Sequence, residues 1–539
     1  MQSFRRQIMR LDYLKIGEFK NLRDFFIDFD EDRSYTVLVG SNGSGKSNLI
    51  EAIVNIFRNL DLREMCPFDY ELGYKIRHSG VERSTHSVKV LGQQGEAPRF
   101  WFDGVERPRA ELARMAQDAE CPYLPRFVFG YYSGPSDRLG SYFRRHRDQF
   151  YMKLKAPDAD QNALPFRPLF NARTSHGQFV LLAFYSHNDV AATGFLREHL
   201  GVQGLDFVRF VINRPEWASR RTDDRFWGTT GVPRRILEAL ERLSIATTQE
   251  RRKLELDFRR TRTVECWNFL LDRDGFQELA DGFDTPQDLF KALESTDISD
   301  LLLELRVDVR VENVDGSISF RELSEGEQQL LLVLGLLRFT SEDEALYLLD
   351  EPDTHLNPAW SVQYLGFIEM MVGSHESGHI VMATHDPLVF AGLTKREIRI
   401  MRRSHEEGKV ISEPPESDPK GMGVQAILTS DLFKLRGAFD PETLADLDER
   451  RRLTVKFREG EPTETESNRL RELNRELEQL DFSINTADPT YPLFVEAMEK
   501  WREENEIVAP VLTQDQRDAQ KAAALEIVRR LKEAQGFEP

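Results

Sequence analysis

The sequence predicts an α/β protein: a two-lobed head with a mixed sheet at its core and an N-terminal antiparallel meander, plus a helical insertion and a C-terminal helical module. Residues 37–48 form a strand-like run, a glycine-rich turn and a helix start, and the apolar runs 345–349 and 379–384 each lead into polar side chains. Short apolar runs are typical of strands buried on both faces of a sheet. The expected parts are 1–140 (N-terminal lobe), 141–300 (helical insertion), 301–412 (C-terminal lobe) and 413–539 (C-terminal helical, partner-binding region).

Composition narrows the classes of function. The 539 residues are 40% hydrophobic, and 72 basic against 91 acidic side chains give a net charge of −19, which opposes non-specific nucleic-acid binding by the whole surface. Basic clusters at 144–147 and 251–262 are interpreted as solvated helix faces. No apolar run approaches the ~18 residues of a membrane span. Cys66, Cys121 and Cys266 show neither metal-ligand spacing nor a pairing framework, so we expect a cytoplasmic protein without a membrane partner.

The N-terminal part is expected to be largely strands. Residues 11–39 alternate in part as a meander that runs into the glycine-rich turn, and 48–60 carry the apolar pattern of a helix with one buried side. Further strands are expected at 87–91 and 99–102, as a hairpin, and at 126–132.

The glycine-rich turn matches the phosphate-binding pattern G-x-x-x-x-G-K-S over residues 40–47. Glycines let consecutive backbone N–H groups point into one concavity, and the following helix adds the partial positive charge of its N-terminus. Lys46 adds a charge between two phosphates, and the Ser47 hydroxyl suits a Mg²⁺ position. A chance glycine-rich turn is the alternative, which the stretches near residues 324, 350 and 385 exclude. The expected nucleotide-binding residues are Gly40, Ser41, Asn42, Gly43, Ser44, Gly45, Lys46, Ser47 and Asn48.

A second anion site is expected where Ser324 and Gly326 open an almost wholly apolar helix, 330–339, which must be buried. The strand 345–349 then delivers Asp350 and Glu351 to its carboxyl end. Asp350 suits the Mg²⁺ shell, and Glu351 suits the general base that activates water. His385 follows the strand 379–384, at the edge where a terminal phosphate would lie.

Together these stretches resemble the ATP-binding-cassette (ABC) ATPases, and within them the RecF/SMC/OLD branch. The turn 19–21, the loop 40–47 and the stretches 323–327, 349–356 and 383–386 carry the resemblance. It implies an ABC-type P-loop ATPase head that uses ATP and Mg²⁺ and has Glu351 and His385 as catalytic residues.

The resemblance also implies a homodimer, or a higher oligomer built from it. Two copies would pair head to tail, with ATP between the phosphate loop of one and Ser324 and Gly326 of the other, and Asp353 would lie across that interface. Glu325 stands where transporters of the wider family carry glycine, which disfavours a transporter subunit. A glutamine that senses Mg²⁺ is expected after the strand at 126–132, but none is present there, so that role stays unassigned.

Within the branch, the insertion at 141–300 is too short and unpatterned for the long coiled coils of SMC proteins. The region 413–539 shows no nuclease constellation of the OLD and Gabija kind, and helices are expected at 441–456, 463–480, 491–504 and 514–534. The stretches 131–138 and 421–436 resemble the Septu-type defence ATPases, the PtuA family, a group also found with type I retrons. That resemblance implies an antiphage system in which a separate HNH nuclease (PtuB-like) is the partner, with a retron reverse transcriptase and its RNA–DNA as further partners.

Two alternatives stay open: a RecF/SMC-like repair ATPase that acts on DNA directly, and a transporter's nucleotide-binding subunit. The C-terminal region offers one further surface. Its leucines at spacings of three and four predict an apolar stripe on a helix, which packs on the ATPase lobe or docks the nuclease; the stripe is Leu470, Leu473, Leu477 and Leu480.

Overall fold

In the computed structural model the described residues are 8–77, 85–118, 123–134, 136, 138–154, 167–173, 175–187, 189–218, 225–255, 261–312, 315–340, 344–372, 378–404, 408–435, 439–459, 463–479, 501, 505, 519–520, 522–524 and 526–530. No helix among them is long and apolar enough to cross a membrane. The chain divides into two compact units, one of Met1–Ile427 with Asp431–Phe433 and the other of Leu428–Ser430 with Lys434–Pro539.

The N-terminal elements confirm the expected meander, helix and hairpin. They are β1 (Ile8–Phe19), β2 (Leu22–Asp28), β3 (Tyr35–Val39), α1 (Lys46–Leu62), β4 (Tyr70–Arg77), β5 (Thr85–Gly92), β6 (Arg99–Phe102), β7 (Val105–Arg107) and α2 (Arg109–Asp118). All but β3 of these strands form an antiparallel sheet in the order β2-β1-β4-β5-β6-β7.

The middle of the chain mixes helices and strands. Its elements are β8 (Phe127–Tyr132), α3 (Gly140–Leu154), β9 (Leu169–Asn171), α4 (His176–Ser186), α5 (Val190–Leu200), β10 (Val202–Asn213), α6 (Gly231–Leu243), β11 (Ala246–Glu255), β12 (Thr261–Asp272), α7 (Arg273–Ala280), α8 (Pro286–Ile298), β13 (Leu302–Val311) and β14 (Ser317–Ser319).

The remaining elements complete the first unit and begin the second. They are α9 (Glu325–Thr340), β15 (Ala345–Asp350), α10 (Pro358–Val372), β16 (His379–Ala383), β17 (Ile398–Arg403), β18 (Val410–Glu413), α11 (Val424–Thr429), α12 (Pro441–Glu459) and α13 (Glu464–Gln479).

The central sheet has seven strands in the order β18-β17-β3-β16-β15-β8-β9, and every neighbouring pair is parallel except β17 with β18. Because side chains alternate across a strand, the sheet separates two hydrophobic cores. Tyr347 and Leu349 of β15 face the larger core, whereas Leu346 and Leu348 face the smaller one. Both faces of β15 are thus buried, which explains its unbroken apolar run, and the mixed α/β architecture is confirmed.

The insertion is only partly helical, so the prediction of a helical region over residues 141–300 is wrong in part. Besides α3 to α8 it contains β10, β11 and β12, which join β13 and β14 in a five-stranded sheet of order β11-β12-β10-β13-β14. The basic residues 251–253, interpreted from sequence as part of a solvated helix face, lie instead on β11. This strand is at the edge of the sheet, and its residues are largely exposed. Since β10 pairs with β13, the expected boundary at residue 300 also cuts through a sheet.

In the second unit, α12 and α13 pack on each other, and Arg469 forms ion pairs with Asp446 and Glu449. Leu473 and Leu477 of the predicted stripe are buried, so the middle of that stripe is not a free docking face. Leu480 lies outside the described residues, as do all of the expected helix at 491–504 except residue 501 and about half of the expected helix at 514–534.

Candidate active site

The candidate site lies at the carboxyl edge of the seven-stranded sheet. Because β3, β16, β15 and β8 run parallel, the residues that follow them meet at one edge. The glycine-rich loop follows β3, Glu351 follows β15, and His385 comes two residues after β16. The structure therefore brings these predicted parts together, although 300 residues separate them in sequence.

The glycine-rich loop has the backbone that its sequence predicts. Gly40, Gly43 and Gly45 have φ of 155°, 78° and 102°, a region that other residues rarely adopt. A Cβ on Gly40 would lie 2.1 Å from the backbone oxygen of Met401, so no larger residue fits there. Lys46, only 5% exposed, reaches back and donates to the Gly40 carbonyl oxygen at 2.8 Å. Burial lowers the pKa of Lys46 to about 8, opposed by the charges of Glu351 and Asp350.

The N-terminus of α1 is open to an anion. Its N-cap residue is Gly45, which has no side chain that could cap the helix, and no acidic residue occupies the first turn. The buried Ser44 hydroxyl likewise finds no hydrogen-bond partner among the described residues. Free N–H groups and the helix dipole at this end favour a phosphate.

Ser47 and Asp350 form the predicted metal pair. The Ser47 hydroxyl donates to Asp350 Oδ1 at 3.1 Å. Asp350 is 2% exposed, and burial raises its pKa to about 6 despite the hydrogen bond from Ser47. A hydroxyl and a carboxylate at this spacing, beside the phosphate loop, suit Mg²⁺, which prefers few protein oxygens together with phosphate oxygens.

Glu351 and His385 form the second pair. His385 Nε2 lies 3.4 Å from Glu351 Oε1, and both side chains are about one-third exposed. Glu351 has a φ of 53°, an uncommon conformation for a side-chain-bearing residue, held by its N–H donating to Ala383 O at 2.8 Å. Burial and the charge of Lys46 lower the pKa of His385, so its imidazole is neutral at pH 7.

Asp353 is buried inside its own chain, where it accepts a hydrogen bond from the Thr384 hydroxyl, and burial raises its pKa to about 6. Thr384 also accepts from the backbone N–H of Asp386 at 2.9 Å. Within one chain, Asp353 therefore contacts the turn that carries His385.

Ser324 and Gly326 lie at the start of α9, away from the loop. The Ser324 hydroxyl donates to Glu327 Oε2 at 2.8 Å and accepts from the Glu327 N–H, a capping arrangement. A Cβ on Gly326 would lie 2.4 Å from the backbone oxygen of His355. Within the described part of the chain, no hydrogen bond or ion pair joins either residue to residues 40–48.

Comparison with known proteins identifies related chains. Residues 124–391 match the family described as "AAA domain, putative AbiEii toxin, Type IV TA system", and residues 9–92 match the family "AAA ATPase domain". The Septu protein PtuA of Bacillus mycoides is 24% identical over 169 residues, which cover 30% of this chain and 23% of that protein. The DNA replication and repair protein RecF of Desulforamulus reducens is 29% identical over 118 residues, 21% of this chain and 31% of that protein.

Parts of the chain are thus similar to AAA-type ATPase domains, to PtuA and to RecF. The chain spans only about a quarter to a third of the length of these curated relatives. Among solved structures, the SMC head domain from Thermotoga maritima aligns over 76% of this chain and 99% of its own, at 14% identity and a TM-score of 0.31. RecF bound to an ATP analogue aligns over 76% and 99%, at 15% identity and a TM-score of 0.29.

A network behind the glycine-rich loop was not predicted from sequence. Glu51 of α1 is buried and accepts hydrogen bonds from Lys20 at 2.5 Å, Arg138 at 2.8 Å and Tyr142 at 2.7 Å. Burial alone would raise its pKa, but these donors lower it, so Glu51 is charged. One feature of the sequence could have indicated this network: the acidic Glu51 stands among the buried, mostly apolar residues of α1.

The same network fixes the phosphate loop. Asn21 donates to the Gly43 carbonyl at 3.0 Å and accepts from Asn48 at 2.6 Å, and Asn48 also accepts from Arg138. Asn48, predicted as a nucleotide-binding residue, is thereby turned toward protein partners. After β8, where the expected glutamine is missing, the Ser133 N–H donates to the Asp350 backbone oxygen at 3.2 Å.

Proposed function

We propose that this chain is the ATP-binding and ATP-hydrolysing regulatory subunit of a bacterial antiphage defence complex of the Septu or retron type, in which it controls a separate HNH nuclease. The observation that carries the ATPase part is the joining of two pairs at one sheet edge: Ser47 with Asp350 at 3.1 Å and Glu351 with His385 at 3.4 Å.

In this proposal the phosphate loop and Lys46 bind the phosphates, while Ser47 and Asp350 hold Mg²⁺, which neutralises charge on the phosphate oxygens when bound. Glu351 takes a proton from the attacking water as general base. Its backbone is left-handed, with a φ of 53°, and the neutral imidazole of His385 lies 3.4 Å from its carboxylate. Asp353 keeps His385 in place through Thr384.

The second half of the site comes from another copy of the chain. Ser324 and Gly326 form no hydrogen bond or ion pair with residues 40–48 within the described part of one chain, although the start of α9 is a good anion-binding element. A head-to-tail homodimer would place that helix start opposite the phosphate loop of its partner.

The defence role rests on the similarity to PtuA, which covers 30% of the chain. The second compact unit, which contains α12 and α13, is separable from the ATPase motifs and is the proposed nuclease-binding module. Since Leu473 and Leu477 are buried, docking would use another surface of this unit.

The RecF matches favour a second candidate function, a repair ATPase that binds DNA by itself. The net charge of −19 opposes this function, because an ATPase that binds DNA without a partner protein requires a basic surface.

Phage protection by cells that carry this gene with a neighbouring HNH nuclease gene tests the proposal. Protection should be lost with Glu351→Gln and with deletion of residues 440–539, and the truncated chain should still bind ATP but fail to capture the nuclease. Tight, salt-sensitive DNA binding by the purified chain, with no effect of either variant on protection, would favour the repair function instead.

A further inference from the structure

A second cavity with the character of an anion site lies outside the nucleotide motifs. Its volume is about 320 Å³, and Arg144, Arg147, Arg167 and Arg173 line it together with Phe143 and Asn171. No carboxylate is among its described lining residues. Cavities of this size accept small ligands, and a wall of guanidinium groups matches phosphate oxygens.

Helix α3 presents part of this wall as one face. Phe143, Arg144 and Arg147 follow Gly140 at helical spacings of three, four and seven, so all of them face the cavity. Arg145, next to them in sequence, points elsewhere and pairs with Glu64. The helix therefore carries two arginines into the cavity and one away from it.

The deepest group is Arg167, whose side chain is only 4% exposed. Glu294 pairs with part of its guanidinium, and the group lies 4.8 Å from the ring centre of Phe170. Its Nε has no hydrogen-bond partner among the described residues. A buried donor left unpaired costs about 1–3 kcal/mol, a cost that an anion in the cavity would remove.

Acidic residues pair with several of these arginines from outside the cavity. Glu294 pairs with Arg167 and Asp297 with Arg173. Arg147 has the exposed Asp148 at 4.0 Å, and Asp300 interacts electrostatically with Arg147 and Arg173. Since none of these carboxylates lines the cavity, the charged groups on its described wall are all guanidinium groups.

Space for a larger ligand adjoins this wall. A neighbouring cavity of about 780 Å³ shares Gly140, Asn171 and Arg173 with it and is lined by Tyr131 and Tyr132. Aromatic side chains beside a phosphate site can pack against a base or another apolar group.

We propose that this arginine-lined cavity is a second anion site, which binds the phosphate groups of a small phosphorylated ligand of about nucleotide size, separately from the phosphate loop. No residue of the loop lines either cavity, whereas Leu323 and Glu325 at the start of α9 line the larger one. The arginine-lined cavity is built from α3, the end of β9 and the residues that flank β9 on both sides, so it exists within a single chain.

Calorimetric titration of the full-length Lys46→Ala protein with pyrophosphate, without Mg²⁺, tests the site while the phosphate loop is weakened. Adding Arg144→Gln and Arg147→Gln should lower the affinity at least tenfold. Adding Arg145→Gln instead removes one charge from the same helix at a residue that does not line the cavity, and it should leave the affinity within about twofold. All variants should share one melting temperature.

A parallel titration with ADP identifies the type of ligand. Tighter binding of ADP than of pyrophosphate, lost with the same two arginines, indicates a nucleotide; equal binding indicates that the phosphates alone are recognised. The proposal is overturned if the Arg144/Arg147 variant binds pyrophosphate as well as the Arg145 variant does, or if no saturable binding occurs at millimolar pyrophosphate.

Discussion

The two halves of the proposed ATP site differ in how far one chain completes them. In the phosphate-loop half, residues from distant strands contact each other directly, as in Ser47 with Asp350 and His385 with Glu351. In the half formed by the start of α9, Ser324 bonds to Glu327, three residues later in the same segment. The first half is therefore assembled by folding, whereas the described residues of one chain leave the second half as a helix start bonded to its own first turn.

The difference has a structural cause. Parallel strands pair along their length, so the β ladder fixes the loops at their carboxyl ends. The start of α9 is instead fixed by close packing, since Gly326 lies against the backbone of His355. Mutations in the first half should stop chemistry within one chain, and mutations in the second half should act across two chains.

The largest expected effect is in the phosphate-loop half. Glu351→Gln removes the general base while keeping its volume, so kcat should fall about 10²–10⁴-fold with ATP binding intact. Lys46→Ala should instead weaken ATP binding by about 10–100-fold, because a charge-assisted contact is lost. Single-turnover hydrolysis and equilibrium ATP binding separate the two effects, and wild-type turnover by the Gln variant would rule out Glu351 as the base.

The next prediction tests whether the halves belong to different chains. Ser324→Arg adds bulk and charge at the start of α9 and should block closure without weakening ATP binding at Lys46. Mixing it with Lys46→Ala should restore part of the hydrolysis, because a mixed dimer contains one site with both halves intact. If mixtures never exceed either parent, both sites must close together or the site forms within one chain.

The sequence predicted the phosphate-loop half of the site better than it predicted the elements around that half. The run 345–350 is readable because both faces of β15 are buried, and the glycine spacing identifies the loop. The pairing of Arg138 with Glu51 was not predictable, since 87 residues separate them. The paired strands β11 and β12 were misinterpreted as helix. Charged residues on an exposed edge strand give the same sequence pattern as charged residues on a solvated helix when no apolar residues alternate with them.

A third prediction concerns pH. Asp350, with its pKa raised to about 6, must lose its proton to hold Mg²⁺, and Lys46, with its pKa lowered to about 8, must keep its proton to bind phosphate. The kcat/KM for ATP should therefore fall below pH 6 and above pH 8, by about tenfold per pH unit at each limb.

Added Mg²⁺ should move the acid limb to lower pH, because the ion competes with the proton for Asp350. Asp353 has a similar pKa of about 6, so Asp353→Asn is the control and should retain the limb. If the acid limb of the pH profile does not shift with Mg²⁺ and is lost in Asp353→Asn, this limb reflects the titration of Asp353 instead.

The smallest expected effect isolates the packing of the α9 start. In Gly326→Ala the new Cβ would lie 2.4 Å from a backbone oxygen, so the free energy of unfolding should fall by about 1–3 kcal/mol. Gly366→Ala, at an exposed site in α10 with nothing within 4 Å, is the matched control and should stabilise by about 0.5–1 kcal/mol. ATP binding should be unchanged in both variants, since neither residue contacts the phosphate loop among the described residues.

Thermal melting with and without ATP measures both the stability and the ATP binding of these variants. If Gly326→Ala melts like Gly366→Ala, the close approach does not fix the helix start; if it loses ATP binding, the two halves of the site are coupled within one chain.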